Sequence, residues 1–150
     1  MCGKSCLIIL CMFIATEFVA HAQLSSKKRK NQCEFEQPDC GFCGKRINVT
    51  LIARNTIREP LFEVTADVTR VHKRELLSFL EIAAQTASEF KFVVSNAGSG
   101  YQVESINGLP RSNEEQWQIL SNDIPLECGV SNYITRSDDT IVFNFTSTLQ

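Results

Sequence analysis

The sequence predicts an α+β domain in which a mixed sheet packs on one helix, with disulfides stapling the whole. Three observations lead there. Segments with apolar–polar alternation stand on both sides of a single stretch with helical spacing. An apolar leader opens the chain. The cysteines beyond that leader are even in number, the pattern of an oxidised extracellular domain.

Lys4 stands ahead of an apolar run over residues 6–20, which ends at Ala20-His21-Ala22. A basic residue, an apolar run and a small-x-small site together read as a cleaved signal peptide over residues 1–22, so the protein is expected to be secreted and extracellular. Thr16 and Glu17 interrupt the run, which falls short of the roughly 20 residues that cross a bilayer, and no membrane span is expected. Removing the leader takes Lys4 and Glu17, one charge of each sign, and leaves the formal net charge at -2. A mildly acidic chain has no global attraction for nucleic acid. Residues 23–46 make a basic, cysteine-containing segment. Its Lys27-Lys28-Arg29-Lys30 run reads as a solvated tail, with a processing site or a polyanion contact as alternatives.

Of the 7 cysteines, Cys2, Cys6 and Cys11 fall within the leader. Cys33, Cys40, Cys43 and Cys128 remain and read as two disulfides. A bond between Cys40 and Cys43 would close a very tight ring, so Cys128 is expected to pair with one or the other. Such a bridge closes a long loop, worth about 3–5 kcal/mol in the chain-entropy picture. The Cys40-Gly41-Phe42-Cys43 spacing also suits zinc or redox chemistry. Zinc prefers two such knuckles, however, and a redox pair needs a helix start where Gly44-Lys45-Arg46 lead into a strand. Asn48-Val49-Thr50 and Asn144-Phe145-Thr146 are glycosylation sequons, each with its asparagine on the polar face of an expected strand.

The folded part is expected over residues 47–150. Ile47, Val49, Leu51 and Ala53 alternate with polar residues, as do Phe62, Val64, Ala66 and Val68, giving two half-buried strands joined by a loop through Pro60. Leu76, Leu80, Ala83, Ala84 and Ala87 recur at helical spacing. Phe90, Phe92 and Val94 begin a third strand, Asn96-Ala97-Gly98-Ser99-Gly100 turns, and residues 101–106 return before Asn107-Gly108 turns again. Residues 116–120 are ordered but of unassigned type, and Ile141, Phe143 and Phe145 alternate in a last strand. This order fits a β-grasp-like arrangement.

Enzymatic chemistry has little to work with. Once His21 leaves with the signal, His72 is the sole histidine, set among Arg70, Lys73 and Arg74 where it reads as a solvated residue. The carboxylate pairs Glu114-Glu115 and Asp138-Asp139 lie in turn-like segments and read as solvated too. No phosphate-cradling loop and no spaced metal ligands appear, so no catalytic residue, metal or catalytic cofactor is expected.

The carboxyl half carries Ser105-Ile106-Asn107-Gly108, then Trp117-Gln118-Ile119-Leu120-Ser121, then Pro125-Leu126-Glu127-Cys128-Gly129-Val130-Ser131-Asn132-Tyr133. This series closely resembles the C-terminal domain of the transcobalamin and intrinsic factor family. Upstream, Arg58-Glu59-Pro60-Leu61-Phe62 and the Leu76-Leu77 helix are similar as well, so the resemblance covers residues 47–145. It implies a cobalamin or corrinoid ligand, clamped in the family between a helical barrel and this smaller domain. The ligand-facing positions it implies are Gly100, Tyr101, Val103, Trp117, Gln118, Ile119, Leu120, Ser121, Pro125 and Leu126. Glu104 departs from the family pattern, placing a negative charge near the expected ligand face.

The expected function is therefore a secreted, non-enzymatic cobalamin-binding or transport-type protein that takes a corrinoid or similar flat molecule, with a second chain or a cell-surface receptor as partner. The alternative is a secreted protein-interaction module on the same fold, with a vestigial ligand site.

Overall fold

The computed structural model describes residues 45–148. The leader, the basic run and Cys33, Cys40 and Cys43 lie outside the described residues. The strands are β1 (Arg46–Asn55), β2 (Phe62–His72), β3 (Phe92–Ala97), β4 (Gly100–Ile106), β5 (Leu109–Pro110), β6 (Glu115–Ser121), β7 (Ile124–Pro125) and β8 (Asp139–Ser147). The helix α1 (Leu76–Thr86) and a 3-10 turn (Ser88–Phe90) lie between β2 and β3.

The expected mixed sheet and helix are present, but the strands divide between two sheets. The larger runs β2-β1-β8-β6-β7 and the smaller β3-β4-β5. In the larger sheet β1 pairs parallel with β8, while its other pairs are antiparallel. Residues 116–120, unassigned from sequence, fall in β6, next to β8 in that sheet.

Alternation makes the sheet two-faced. Ile47, Val49, Leu51 and Ala53 of β1 meet Ile141, Phe143 and Phe145 of β8 on the buried face. Leu76, Phe79, Leu80 and Ala83 of α1 and Val103 and Ile106 of β4 complete the core. The spacing places the helix, with Leu76, Leu80 and Ala83 on its buried side, but α1 is shorter than expected: Ala84 is half-buried, Ala87 lies just past its end, and Phe90 falls in the 3-10 turn and not in β3. No side chain caps α1; instead the N–H groups of Leu76 and Leu77 donate to the carbonyls of Tyr133 and Val130, both at 2.9 Å. Main-chain oxygens from a distant loop thus satisfy donors that a helix start leaves open.

Two local devices fix strand positions. Opposite Asn48 the register slips, so that Thr69 and Arg70 together face it. Arg70, at φ 60, donates its N–H to Asn48 Oδ1 at 3.0 Å. In the β1–β2 loop, Asn55 is fully buried. Its amide donates to the carbonyls of Arg58 and Pro60 and accepts from the N–H groups of Ile57 and Arg58. Arg58 then reaches Glu115 at 2.7 Å and stands over the Phe145 ring, fastening the loop to β6 and β8.

Because Asn55 alone satisfies four backbone groups of a loop, Asn55→Ala is expected to lower unfolding free energy by about 1–3 kcal/mol. Ile57→Ala, at an exposed position of the same loop, should shift it by less than about 0.5 kcal/mol. Urea titration of both variants checks the contrast.

Candidate functional site

The residues expected to face a ligand come from β4, β6 and β7. Strand periodicity decides what each can offer. Trp117 is 6% exposed and turned inward, with its ring 5.0 Å from that of Phe145 and 6.3 Å from that of Phe62. Its Nε1–H donates to the Leu109 carbonyl at 3.1 Å. Ile119 and Val103 join the same core, and Ser121 is buried with its hydroxyl 2.5 Å from that of Tyr133. The apolar area expected from Trp117 is therefore turned toward the core, because the indole's parity on β6 is that of Ile119 and not of Gln118.

Gln118 and Leu120 have the opposite parity and lie half-buried on the outer face of the larger sheet. Gln118 is the cross-strand partner of Asn144, which is in turn the partner of Arg54. Arg54 Nε donates to Asn144 Oδ1 at 2.8 Å, giving a polar row across three strands. Leu120 pairs with Pro125, and the Leu126 N–H continues the hairpin by donating to the Ile119 carbonyl at 2.8 Å. Asn48 is exposed and Asn144 half-buried, both on the outer face.

Beyond Leu126 the chain leaves the larger sheet and docks on the edge of β4. The N–H of Gly129 donates to the Ser99 carbonyl at 2.9 Å, and that of Val130 to the Tyr101 carbonyl at 2.8 Å. The Tyr101 N–H donates to Ser131 Oγ at 2.9 Å. The approach is so close that a side chain is excluded on both sides. A Cβ at Gly129 would stand 2.3 Å from the Tyr101 carbonyl oxygen, and one at Gly100 would stand 2.7 Å from Ser131 Oγ. This weld ties the two sequence stretches expected to face a ligand to one another through residues 126–132. It leaves Tyr101 and Pro125 exposed, and Leu126 half-buried.

Glu104, the departure noted in the sequence, is the extra residue of a bulge in β4. It accepts from the Ser95 hydroxyl and lies 3.5 Å from Arg111 Nε, so its charge is answered within the domain. Asp139, which reads as solvated in the sequence, is 4% exposed. Its carboxylate accepts from the hydroxyl of Tyr133 at 3.1 Å. Burial pushes the Tyr133 hydroxyl well above the usual tyrosine range, with the Asp139 charge adding to the shift and the Ser121 hydrogen bond opposing it. The sequence carries no signal for this network, since Ser121, Tyr133 and Asp139 are spaced by no motif. Among the described residues no cluster of His, Cys, Asp or Glu could hold a metal ion, and no helix is long and apolar enough to cross a membrane.

Comparison with known proteins places this geometry among relatives. Residues 78–147 match the family described as "Domain of unknown function (DUF4430)". The chain is 36% identical over 104 residues to cobalamin binding intrinsic factor of Canis lupus familiaris, a match covering 67% of this chain and 25% of that protein. The chain thus spans about a quarter of the length of the curated relatives it matches. Among solved structures, haptocorrin in complex with Cbi superposes with a TM-score of 0.63 at 23% identity, over 71% of this chain and 26% of that one. A Ruminococcus gnavus protein superposes at 0.51 and 15% identity, over 69% of this chain and 98% of that one.

Gly129→Ala is expected to cost about 1–3 kcal/mol, because the added carbon meets backbone that has no free direction in which to retreat. Gly98→Ala, where nothing lies within 4 Å, should change stability by less than about 0.5 kcal/mol. Thermal unfolding of the pair separates the weld from the turn beside it.

Proposed function

Since the chain carries a domain of the transcobalamin and intrinsic factor family, we propose that it is a secreted, non-enzymatic protein that binds cobalamin or a related corrinoid. The observation that carries this reading is the weld of residues 129–131, just beyond the β6–β7 hairpin, to the Gly100–Tyr101 edge. A flat, amide-rimmed macrocycle suits a surface that combines apolar area with groups able both to donate and to accept. In this reading Leu120 and Gln118 offer apolar area and a donor–acceptor amide on the outer face of the larger sheet, Pro125 and Leu126 extend the apolar area along the hairpin, and Tyr101 is exposed on the edge of β4. Gly100, Val103, Trp117, Ile119 and Ser121 serve the site from behind, as backbone and as the floor beneath it.

Secretion accords with the signal-like leader. It also accords with Cys128, which is 7% exposed and in this reading is bridged to Cys40 or Cys43. Asn48, exposed on the outer face, is the glycan site of the same reading, since a glycan on Asn144 would cover its cross-strand neighbour Gln118; a second chain or a receptor is the partner that covers the ligand's other side. A protein-interaction module is the second reading. It is favoured by Ile57 and Leu61, which are 48% and 56% exposed on one loop.

Cobalamin added to the purified, oxidised protein should change its visible spectrum and release or absorb heat on titration. Gln118→Ala should weaken that binding by roughly 5- to 10-fold, the loss of a hydrogen bond of about 1–1.5 kcal/mol, with the melting temperature nearly unchanged. Absence of any spectral or calorimetric signal at high micromolar ligand would exclude the corrinoid reading, and an equal collapse of binding and stability would make Gln118 structural.

A further inference from the structure

Strand β7 has only two residues, and its ladder to β6 consists of Leu120–Pro125 and Ser121–Ile124. So short a pairing does not hold a hairpin in place unaided. The turn between the strands, Asn122 and Asp123, is exposed and adopts positive φ at both residues, so packing does not hold it either. A different set of contacts does.

Asn122 donates its N–H to the Thr140 carbonyl at 2.9 Å and accepts the Thr140 N–H on Oδ1 at 3.0 Å. Its Nδ2 donates to Asp139 Oδ1 at 3.0 Å. The other carboxylate oxygen of Asp139 accepts from the Arg136 N–H at 2.8 Å and from the Tyr133 hydroxyl at 3.1 Å. The Ser121 hydroxyl, 2.5 Å from that of Tyr133, closes the network back onto β6. Asp139 is nearly fully buried, and among the described residues no ion pair reaches it. A buried carboxylate without a cation is a poor source of stability. What a carboxylate does supply here is acceptors alone, facing donors that cannot turn away. The Arg136 N–H is backbone, and the Asn122 amide cannot flip without losing the Thr140 N–H.

We infer that Asp139 is a positioning residue: through Asn122 and Tyr133 its carboxylate sets where the β6–β7 hairpin and the segment that follows stand against the edge of β4. This rests on the corrinoid-binding reading for its functional consequence, because Leu120, Pro125 and Leu126 belong to that hairpin. Asp139 touches no ligand in this scheme. It acts by holding the side chains that do.

The test uses the full purified chain and two variants. Asn122→Gly deletes the two side-chain bonds of the tether, to Asp139 and from the Thr140 N–H, and leaves the backbone bond to the Thr140 carbonyl, while keeping a turn residue suited to φ 49. Asp139→Asn replaces one acceptor oxygen by a donor, so that at least one fixed donor loses its partner. Cobalamin affinity is read by spectral titration, and amide exchange is followed at Leu126, in the hairpin, and at Leu51, in the sheet core. Both variants should bind at least tenfold more weakly. Exchange at Leu126 should rise at least tenfold, while that at Leu51 stays unchanged. Binding by Asn122→Gly within twofold of the parent, or unchanged exchange at Leu126, overturns the inference. If the parent binds no cobalamin, the ligand reading fails by that result, and exchange at Leu126 still decides whether the tether positions the hairpin. Should Asp139→Asn fail to fold, Asn122→Gly carries the decision alone, since it alters an exposed residue.

Discussion

Backbone groups that leave water must find partners, and nowhere in this domain is that constraint sharper than in the irregular segment between β7 and β8. Residues 128–130, 133 and 135 are buried there without belonging to a named strand. Their partners are spread over most of the domain. Gly129 and Val130 pair with the edge of β4, the carbonyls of Val130 and Tyr133 receive the first N–H groups of α1, and Thr135 bonds to the Arg74 carbonyl. Further on, the Asp138 N–H donates to the Asn48 carbonyl at 2.7 Å. The small sheet, the helix and the large sheet thus take their relative positions from one strap.

That dependence explains why small residues recur where the strap crosses β4. A Cβ at Gly129 would meet the backbone of Gly100 and Tyr101, and one at Gly100 would meet the side chains of Ser131 and Asn132 from a backbone at φ 104 that favours glycine. The outer face of β6 is set by a separate rule, the two-residue period of the strand, which assigns Trp117 and Ile119 to the core and Gln118 and Leu120 to the outside. The core beneath Trp117 and Ile119 fixes the backbone of β6 from behind.

The regular elements were legible because burial imposes a period. Alternation in β1, β2 and β8, and the three-to-four spacing of Leu76, Leu80 and Ala83, follow directly from one-sided packing. In β6 the same signal is muddied, since Leu120 points outward and Ser121 inward, and a reader of hydropathy sees no clean pattern. The division into two sheets was not legible either. It depends on where the strap carries the chain after Leu126, which hydropathy does not encode. Asp139 shows the limit most plainly. Beside Asp138 in a turn it looks solvated, yet its acceptors are met by Asn122, Tyr133 and Arg136. Only one of those donors is a near neighbour in sequence, within three residues. Polar burial is decided by tertiary partners, while apolar burial leaves its mark locally.

The parallel pairing of β1 with β8 has a consequence for how the domain comes into being. The first described strand lies beside the last at the middle of the larger sheet. During synthesis, β1 and β2 can form their hairpin early, but the inward row of β1 stays uncovered along one edge until β8 has been made. Such long-range closure is slow and leaves an apolar strand edge open to other chains in the meantime. Folding is therefore gated by completion of the chain as far as β8. Truncation ahead of β8, before Asp139, would yield not a slightly shorter domain but an open half-sheet prone to aggregate.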